Sequence, residues 1–120
     1  MKIAITATEK KATAAIDPRF GRTKWFAIVD VDTKAIEFLS NEQNYQAQQG
    51  AGVQAAQFVC KQDVKAVITG HCGPKAFRAL KAADVAVFLG QDMTVEEAIE
   101  SYNQGALQES KRPDVSGHWA

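Results

Sequence analysis

The segment Gly70-His71-Cys72-Gly73-Pro74 sets an imidazole beside a thiol, between two glycines and just before a proline. Both side chains are soft metal ligands, and a thiol at the start of a helix tends toward the reactive thiolate. Amides that precede a helix can converge on one point, where the helix dipole favours an anion. Equally, Cys72 can tuck into a core while His71 sits on the surface of a tight turn. A second segment, Asp17-Pro18-Arg19-Phe20-Gly21-Arg22, carries two arginines around a turn. They can grip an oxyanion or a sulfide-rich anion through charge-assisted hydrogen bonds. Alternatively, Asp17 and Arg19 pair with each other or with solvent, and Phe20 anchors the loop. In Gly50-Ala51-Gly52, exposed amides can meet an anionic ligand, or the glycines simply permit a close helix entry.

Other chemistries are poorly served. A structural zinc site needs four ligands, and the two cysteines and two histidines are scattered over Cys60, His71, Cys72 and His118. Cys60 falls on a buried helical stripe, and His118 lies in a stretch that reads as a loose tail. Gly50-Ala51-Gly52 is only part of a dinucleotide fingerprint: it follows a polar connection rather than a strand, and Ala55 stands where a further glycine belongs. No Gly-Lys-Ser/Thr loop occurs. A cysteine–histidine nucleophile needs an orienting group and an oxyanion site, and neither is legible. The chain therefore reads as a binder rather than an enzyme, with the Gly70 turn as its main contact point.

The elements that must hold these segments follow from periodicity. Lys2 to Thr6 is a short β-rich stretch with Ile3 and Ile5 on one face. Trp25 to Asp32 is a second strand, turning at Asp32-Thr33-Lys34 into a third from Ala35 to Leu39, an antiparallel hairpin. Asn41 to Gln49 is polar and carries no apolar period, which predicts an exposed connection. Gly50-Ala51-Gly52 opens a helix to about Gln62, with Val53, Ala56, Val59 and Cys60 along its inner stripe. Val64 to Thr69 is apolar on both sides, as parallel strands are. Pro74 suits a first helical position, and Ala76, Phe77 and Leu80 form that helix's inner face. Val85 to Leu89 is a fifth strand. Thr94-Val95-Glu96-Glu97 is a capping box, and Val95, Ala98, Ile99 and Tyr102 give the last helix one apolar face, ended by Gly105.

The order β-β-β-α-β-α-β-α predicts an α/β fold: a five-stranded mixed sheet with three helices. Strand order 3-2-1-4-5 is its natural closure, the ribonuclease H-like motif. Nucleases of that architecture hold two metal ions with carboxylates on the first strand, first helix and fourth strand. Those elements here offer Ala4, Ile5 and Thr6, then Gln54 and Gln57, then Val67 and Ile68. Without the carboxylates, nuclease chemistry is excluded. One domain is expected over residues 1–107, followed by a flexible C-terminal tail at 108–120 that contains Pro113 and Gly117.

At 120 residues the chain has room for a single core. Its 14 lysines and arginines balance 14 carboxylates, so no basic excess calls for nucleic acid or an anionic membrane. No apolar run reaches the length of a membrane span, and Met1-Lys2 leads straight into Ile3-Ala4-Ile5 without a signal-peptide layout. Two cysteines imply no disulfide scaffold. A cytoplasmic protein with reduced thiols is expected.

Taken together, Asp17-Pro18-Arg19-Phe20-Gly21-Arg22, the aromatic-rich strand ending at Asp30, Gly50-Ala51-Gly52, Gly70-x-x-Gly73-Pro74-x-Ala76 and Thr94-Val95-Glu96-Glu97-Ala98 resemble the dinitrogenase iron–molybdenum cofactor biosynthesis family. The family includes nitrogenase accessory proteins and a molybdenum–copper sulfide protein. The match runs from about Met1 to Leu107. Each motif alone is weak, but five in the right order are specific. The resemblance implies a ribonuclease H-like fold without nuclease activity. It also implies non-catalytic binding, carriage or storage of an anionic metal–sulfur cluster containing molybdenum with iron or copper. The matched positions are Arg19, Phe20, Gly21, Arg22, Gly50, Gly52, Gly70, Gly73 and Pro74. His71 and Cys72 stand at family-variable positions, so a metal-ligand role for them rests on their chemistry alone. The implied partners donate or accept clusters; nucleic acid and membrane are not among them, and weak self-association is left open. Asp84 departs from the family where relatives often have glycine, and nothing beyond Leu107 matches. Members outside nitrogen fixation supply the alternative of a protein-interaction or regulatory module without a cluster, with Ser116-Gly117-His118-Trp119 as its docking peptide.

Overall fold

The computed structural model describes residues 1–45 and 50–112. Strand β1 (Lys2–Ala7) lies inside the sheet because both of its faces are apolar or satisfied: Ile3, Ile5 and Ala7 are buried on one side, Ala4 and Thr6 on the other. It pairs antiparallel with β2 (Trp25–Asp30) and parallel with β4 (Val64–Thr69). Beyond β2 lies β3 (Ile36–Ser40), the second arm of the expected hairpin. Its turn closes as the residue types require: the Asp30 carboxylate accepts the amides of Asp32 and Thr33 at 2.9 and 3.2 Å, and Lys34 takes φ 68°. On the other side β4 pairs parallel with β5 (Ala86–Leu89), and β5 pairs antiparallel with β6 (Gln108–Ser110).

The sheet order is β3-β2-β1-β4-β5-β6. The mixed sheet and the succession 3-2-1-4-5 match expectation, but the five-strand count does not. Strand β6 occupies Gln108–Ser110, where the sequence reads as tail; three polar residues carry no alternation to betray a strand. The three-helix count is also corrected. A short helix, α1 (Glu42–Tyr45), begins the connection expected to be exposed, and Asn41 and Asn44 within it are 0% and 6% exposed. The rest of that connection (46–49), and 113–120 with His118 and Trp119, lie outside the described residues.

Helices α2 (Ala51–Cys60) and α3 (Pro74–Ala82) pack on one face, where Ala4, Phe26, Ile28, Val67 and Val87 meet Ala55, Val59, Phe77 and Leu80. Cys60 packs against this cluster in part, and burial pushes its thiol pKa up. Helix α4 (Val95–Asn103) covers the other face, setting Val95 and Ala98 against Ile3, Ile5, Val29 and Ile68. Each fully buried Leu, Val or Phe contributes about 1.5–3 kcal/mol, so the two layers hold the strand ends firmly. Asp84, the departure from the family pattern, has φ 60°. That left-handed position favours glycine but tolerates aspartate. Among the described residues no helix is long and apolar enough to cross a membrane.

The parallel strands β1, β4 and β5 end at one edge of the sheet. The chain then passes from β4 to α3 on one face and from β5 to α4 on the other. Divergent exits of this kind open a crevice where open α/β sheets receive ligands.

Candidate functional site

The long loop after β1 is bound into this edge by buried polar groups. The Thr6 hydroxyl, fully buried, donates to the Asp17 carbonyl at 2.7 Å and lies 3.1 Å from the Thr69 hydroxyl. One cluster thus ties β1, β4 and the loop. The Asp17 carboxylate accepts the Arg19 amide at 3.0 Å, so the two residues pair through the backbone. Burial pushes the Asp17 carboxyl up, while the Arg19 amide and the charges of Arg19 and Lys24 pull it the other way. Phe20 is 1% exposed, its ring 5.5 Å from that of Phe26. It anchors the loop, with Arg19 exposed and Arg22 half-buried on either side of it.

The loop and the Gly70 turn form one unit. The Phe20 amide donates to the His71 carbonyl at 3.3 Å, and Arg19 and His71 form a parallel bridge. A Cβ at Gly70 would stand 2.7 Å from Pro18 Cα and 3.0 Å from its carbonyl oxygen. A Cβ at Gly21 would stand 2.8 Å from both Gly52 Cα and its nitrogen. Residues 18–22 are therefore a strap seated on Gly70 at one end and on Gly52 at the other. The three glycine-bearing segments converge because their backbones touch.

Helices α2 and α3 both begin under this strap. Gly50 caps α2 with φ 76°, and Gly73 caps α3 in an extended conformation ahead of Pro74 at the first turn. Neither cap supplies a side-chain hydrogen bond. Two helix starts thus lack a side-chain acceptor close to Arg19 and Arg22, and helix starts carry partial positive charge.

Asn41 has a structural part that sequence reasoning missed. Its amide nitrogen donates to the Thr23 carbonyl at 2.8 Å and the Gly21 carbonyl at 3.4 Å, and its oxygen accepts from Asn44 at 2.7 Å. This clamp fixes the far end of the strap. Its only sequence signal is an asparagine at a strand end, which a polar neighbourhood conceals.

The expected site residues fall into distinct environments. Arg19 and Gly50 are exposed, Arg22, His71 and Pro74 half-buried, and Phe20, Gly21, Gly52, Gly70, Cys72 and Gly73 buried. Cys72 is 2% exposed and belongs to the cluster that contains Phe20, Phe26, Ala76 and Phe77. His71 instead lines a cleft of about 400 Å³ together with Pro18 and the segment leading from β5 into α4. The two neighbours in sequence are thus parted in space. Among the described residues no three His, Cys, Asp or Glu are grouped to hold a metal ion.

The family model for the Dinitrogenase iron-molybdenum cofactor matches residues 1–105, a span that contains the strap, α2, α3 and α4. The chain belongs to the Dinitrogenase iron-molybdenum cofactor family. The apo form of the orange protein from Desulfovibrio gigas is 36% identical, with a TM-score of 0.92 over 95% of this chain and 96% of that one. A NifB-like protein of the DUF35 family from Thermotoga is 30% identical, with a TM-score of 0.79 over 90% of this chain and 91% of its own. An uncharacterised protein of Methanocaldococcus jannaschii is 27% identical over 111 residues, 90% of each chain. Strand β6 lies past the segment matched to the family, which ends at residue 105.

Proposed function

We propose that this member of the family binds and carries an anionic metal–sulfur cluster, of molybdenum with iron or copper, on the ledge formed by the strap and the starts of α2 and α3. The carrying observation is the seating of Pro18 on Gly70 and of Gly21 on Gly52, which gathers Arg19, Arg22, Gly50 and Gly73 at one edge. The donor set suits an anion coated with sulfide. Guanidinium groups and helix-start amides donate hydrogen bonds and positive potential, and neither competes for the metals inside. Cys72 packs in the core in this scheme, and His71 at the margin of the ledge is the soft side chain able to touch a metal. Holding by charge and amides allows release without breaking metal–thiolate bonds, which suits a cytoplasmic carrier that takes a cluster from one protein and gives it to another. The scaffold is then ribonuclease H-like without a nuclease's carboxylates, and its work is binding rather than catalysis.

The test is an oxygen-free titration of the full chain with tetrathiomolybdate and cuprous copper, and separately with an iron–molybdenum cluster. We expect a visible charge-transfer band and a raised melting temperature, both lost in the Arg19→Ala, Arg22→Ala double variant. His71→Ala should alter the band. Absence of any band and of any stabilisation with every cluster overturns the proposal.

A further inference from the structure

We propose that the open edge of β3 is a self-association surface, where a second copy of this chain adds its own β3 antiparallel to form a two-fold dimer. Strand β3 stands at one end of the sheet order, and Ile36 and Phe38 on it are only half-buried. Which of its backbone groups face outward is fixed by the pairing on its inner side. The Asp30 amide donates to the Ala35 carbonyl and the Asn41 amide to the Lys24 carbonyl, both at 3.0 Å. In the register that pairs Ile28 with Glu37 and Phe26 with Leu39, the odd-numbered residues of β3 therefore bond to β2. Ile36, Phe38 and Ser40 turn their amides and carbonyls to the open edge, a row that templates another strand.

That row is self-complementary. A two-fold axis at Phe38 sets Phe38 against Phe38 and Ile36 against Ser40, so every outward amide of one copy meets an outward carbonyl of the other. The two Phe38 side chains form an aromatic pair at the centre. On the other face Glu37 falls opposite Leu39, so no like charges meet along the strand. Lys34 precedes β3 and Glu42 follows it, and both are exposed. Antiparallel pairing brings the ammonium of one copy to the end where the other holds its carboxylate, twice by symmetry. The opposite edge of the sheet refuses the same arrangement. Strand β6 has three residues with Glu109 at their centre, and a two-fold there sets Glu109 against itself. Charge complementarity thus selects β3 as the edge for a second copy. Five residues of strand pairing make a smaller interface than the usual 1,600 Å² or so, so the dimer is weak and concentration-dependent.

The experiment is analytical ultracentrifugation of the full chain, without any cluster, from about 10 μM to about 1 mM, the span of weak affinities. Amide hydrogen exchange at both ends of that range reads the register. The average mass should rise toward a dimer with concentration, and the amides of Ile36, Phe38 and Ser40 should gain protection as it does. Lys34→Asp and Glu42→Lys, each made alone, turn two attractions into two repulsions and should weaken association about tenfold. The double variant restores opposite charges and should recover most of that loss. Aspartate tolerates the φ of 68° at position 34, and the exchange data show that each variant is folded. Phe38→Lys sets two ammonium groups face to face at the axis and should leave a monomer. A parent chain that stays monomeric at every concentration, protection gained at β6 instead of β3, or a double variant no better than the singles would each overturn the inference. Because no cluster is present and no ledge residue is changed, failure here leaves the ledge proposal standing, and the reverse holds too.

Discussion

Gly70 and Gly50 both border the ledge, but different physics requires them. Gly70 is short of space, since its Cβ would meet the backbone of Pro18 at 2.7 Å. Gly50 has open space around it and a φ of 76°. Gly70→Ala should cost about 1–3 kcal/mol as overpacking and weaken cluster binding by lifting Pro18 and Arg19. Gly50→Ala should cost about 1–2 kcal/mol from conformation alone. Urea midpoints separate the two causes: Gly50→Asn should recover most of the loss, because asparagine accepts the left-handed region, and Gly70→Asn should recover none. Asp17 supports a prediction of different sign. Burial raises its carboxyl above the ordinary 3.8, so the folded state binds this proton more readily than the unfolded chain. Its contribution is favourable below pH 3.8 and is lost as pH rises through the raised value. Asp17→Asn keeps the acceptor for the Arg19 amide and removes the buried charge. The variant should melt higher than the parent at pH 7, with the gap closing as the pH falls below 4.

At the scale of elements, what was legible was local. The capping box at Thr94 and Glu97 and the proline opening α3 each reside within four or five consecutive residues and appear as expected, and the hairpin expected around Asp32-Thr33-Lys34 forms with its strand ending earlier, at Asp30. What escaped was decided at a distance. Asn41 is buried because the carbonyls of Gly21 and Thr23 come to it across the fold, and β6 exists because β5 offers it an edge. The convergence of strap, Gly50 and Gly70 was expressed only as motifs in order; the backbone contacts that cause it are tertiary. For α4 the local rule makes a quantitative claim. Thr94→Ala removes the acceptor for the Glu97 amide and should cost about 1 kcal/mol, read as a lower urea midpoint. The slope should not change, since no other element loses its partner.

On the scale of the whole molecule, a zero net charge supplies no overall attraction for an anion. Affinity on the ledge must then come from charges within about a screening length, about 8 Å at physiological salt. The fold makes this separable. Lys34 turns the β2–β3 hairpin, whose Asp30 end pairs with Lys2 at the opposite edge of the sheet from the strap. The six residues of β1 rise about 3.3 Å each, which places Lys34 roughly 20 Å from the ledge. Removing one positive charge from either place changes the net charge identically. Lys34→Gln should therefore leave tetrathiomolybdate–copper affinity unchanged at 0.15 M salt, about the physiological value. Arg22→Gln should weaken it roughly tenfold, the loss of one charge-assisted hydrogen bond. The Arg22 effect should shrink as salt is raised. Equal losses from Lys34 and Arg22 would mean that the anion responds to total charge, and the ledge would then have no claim to be a site.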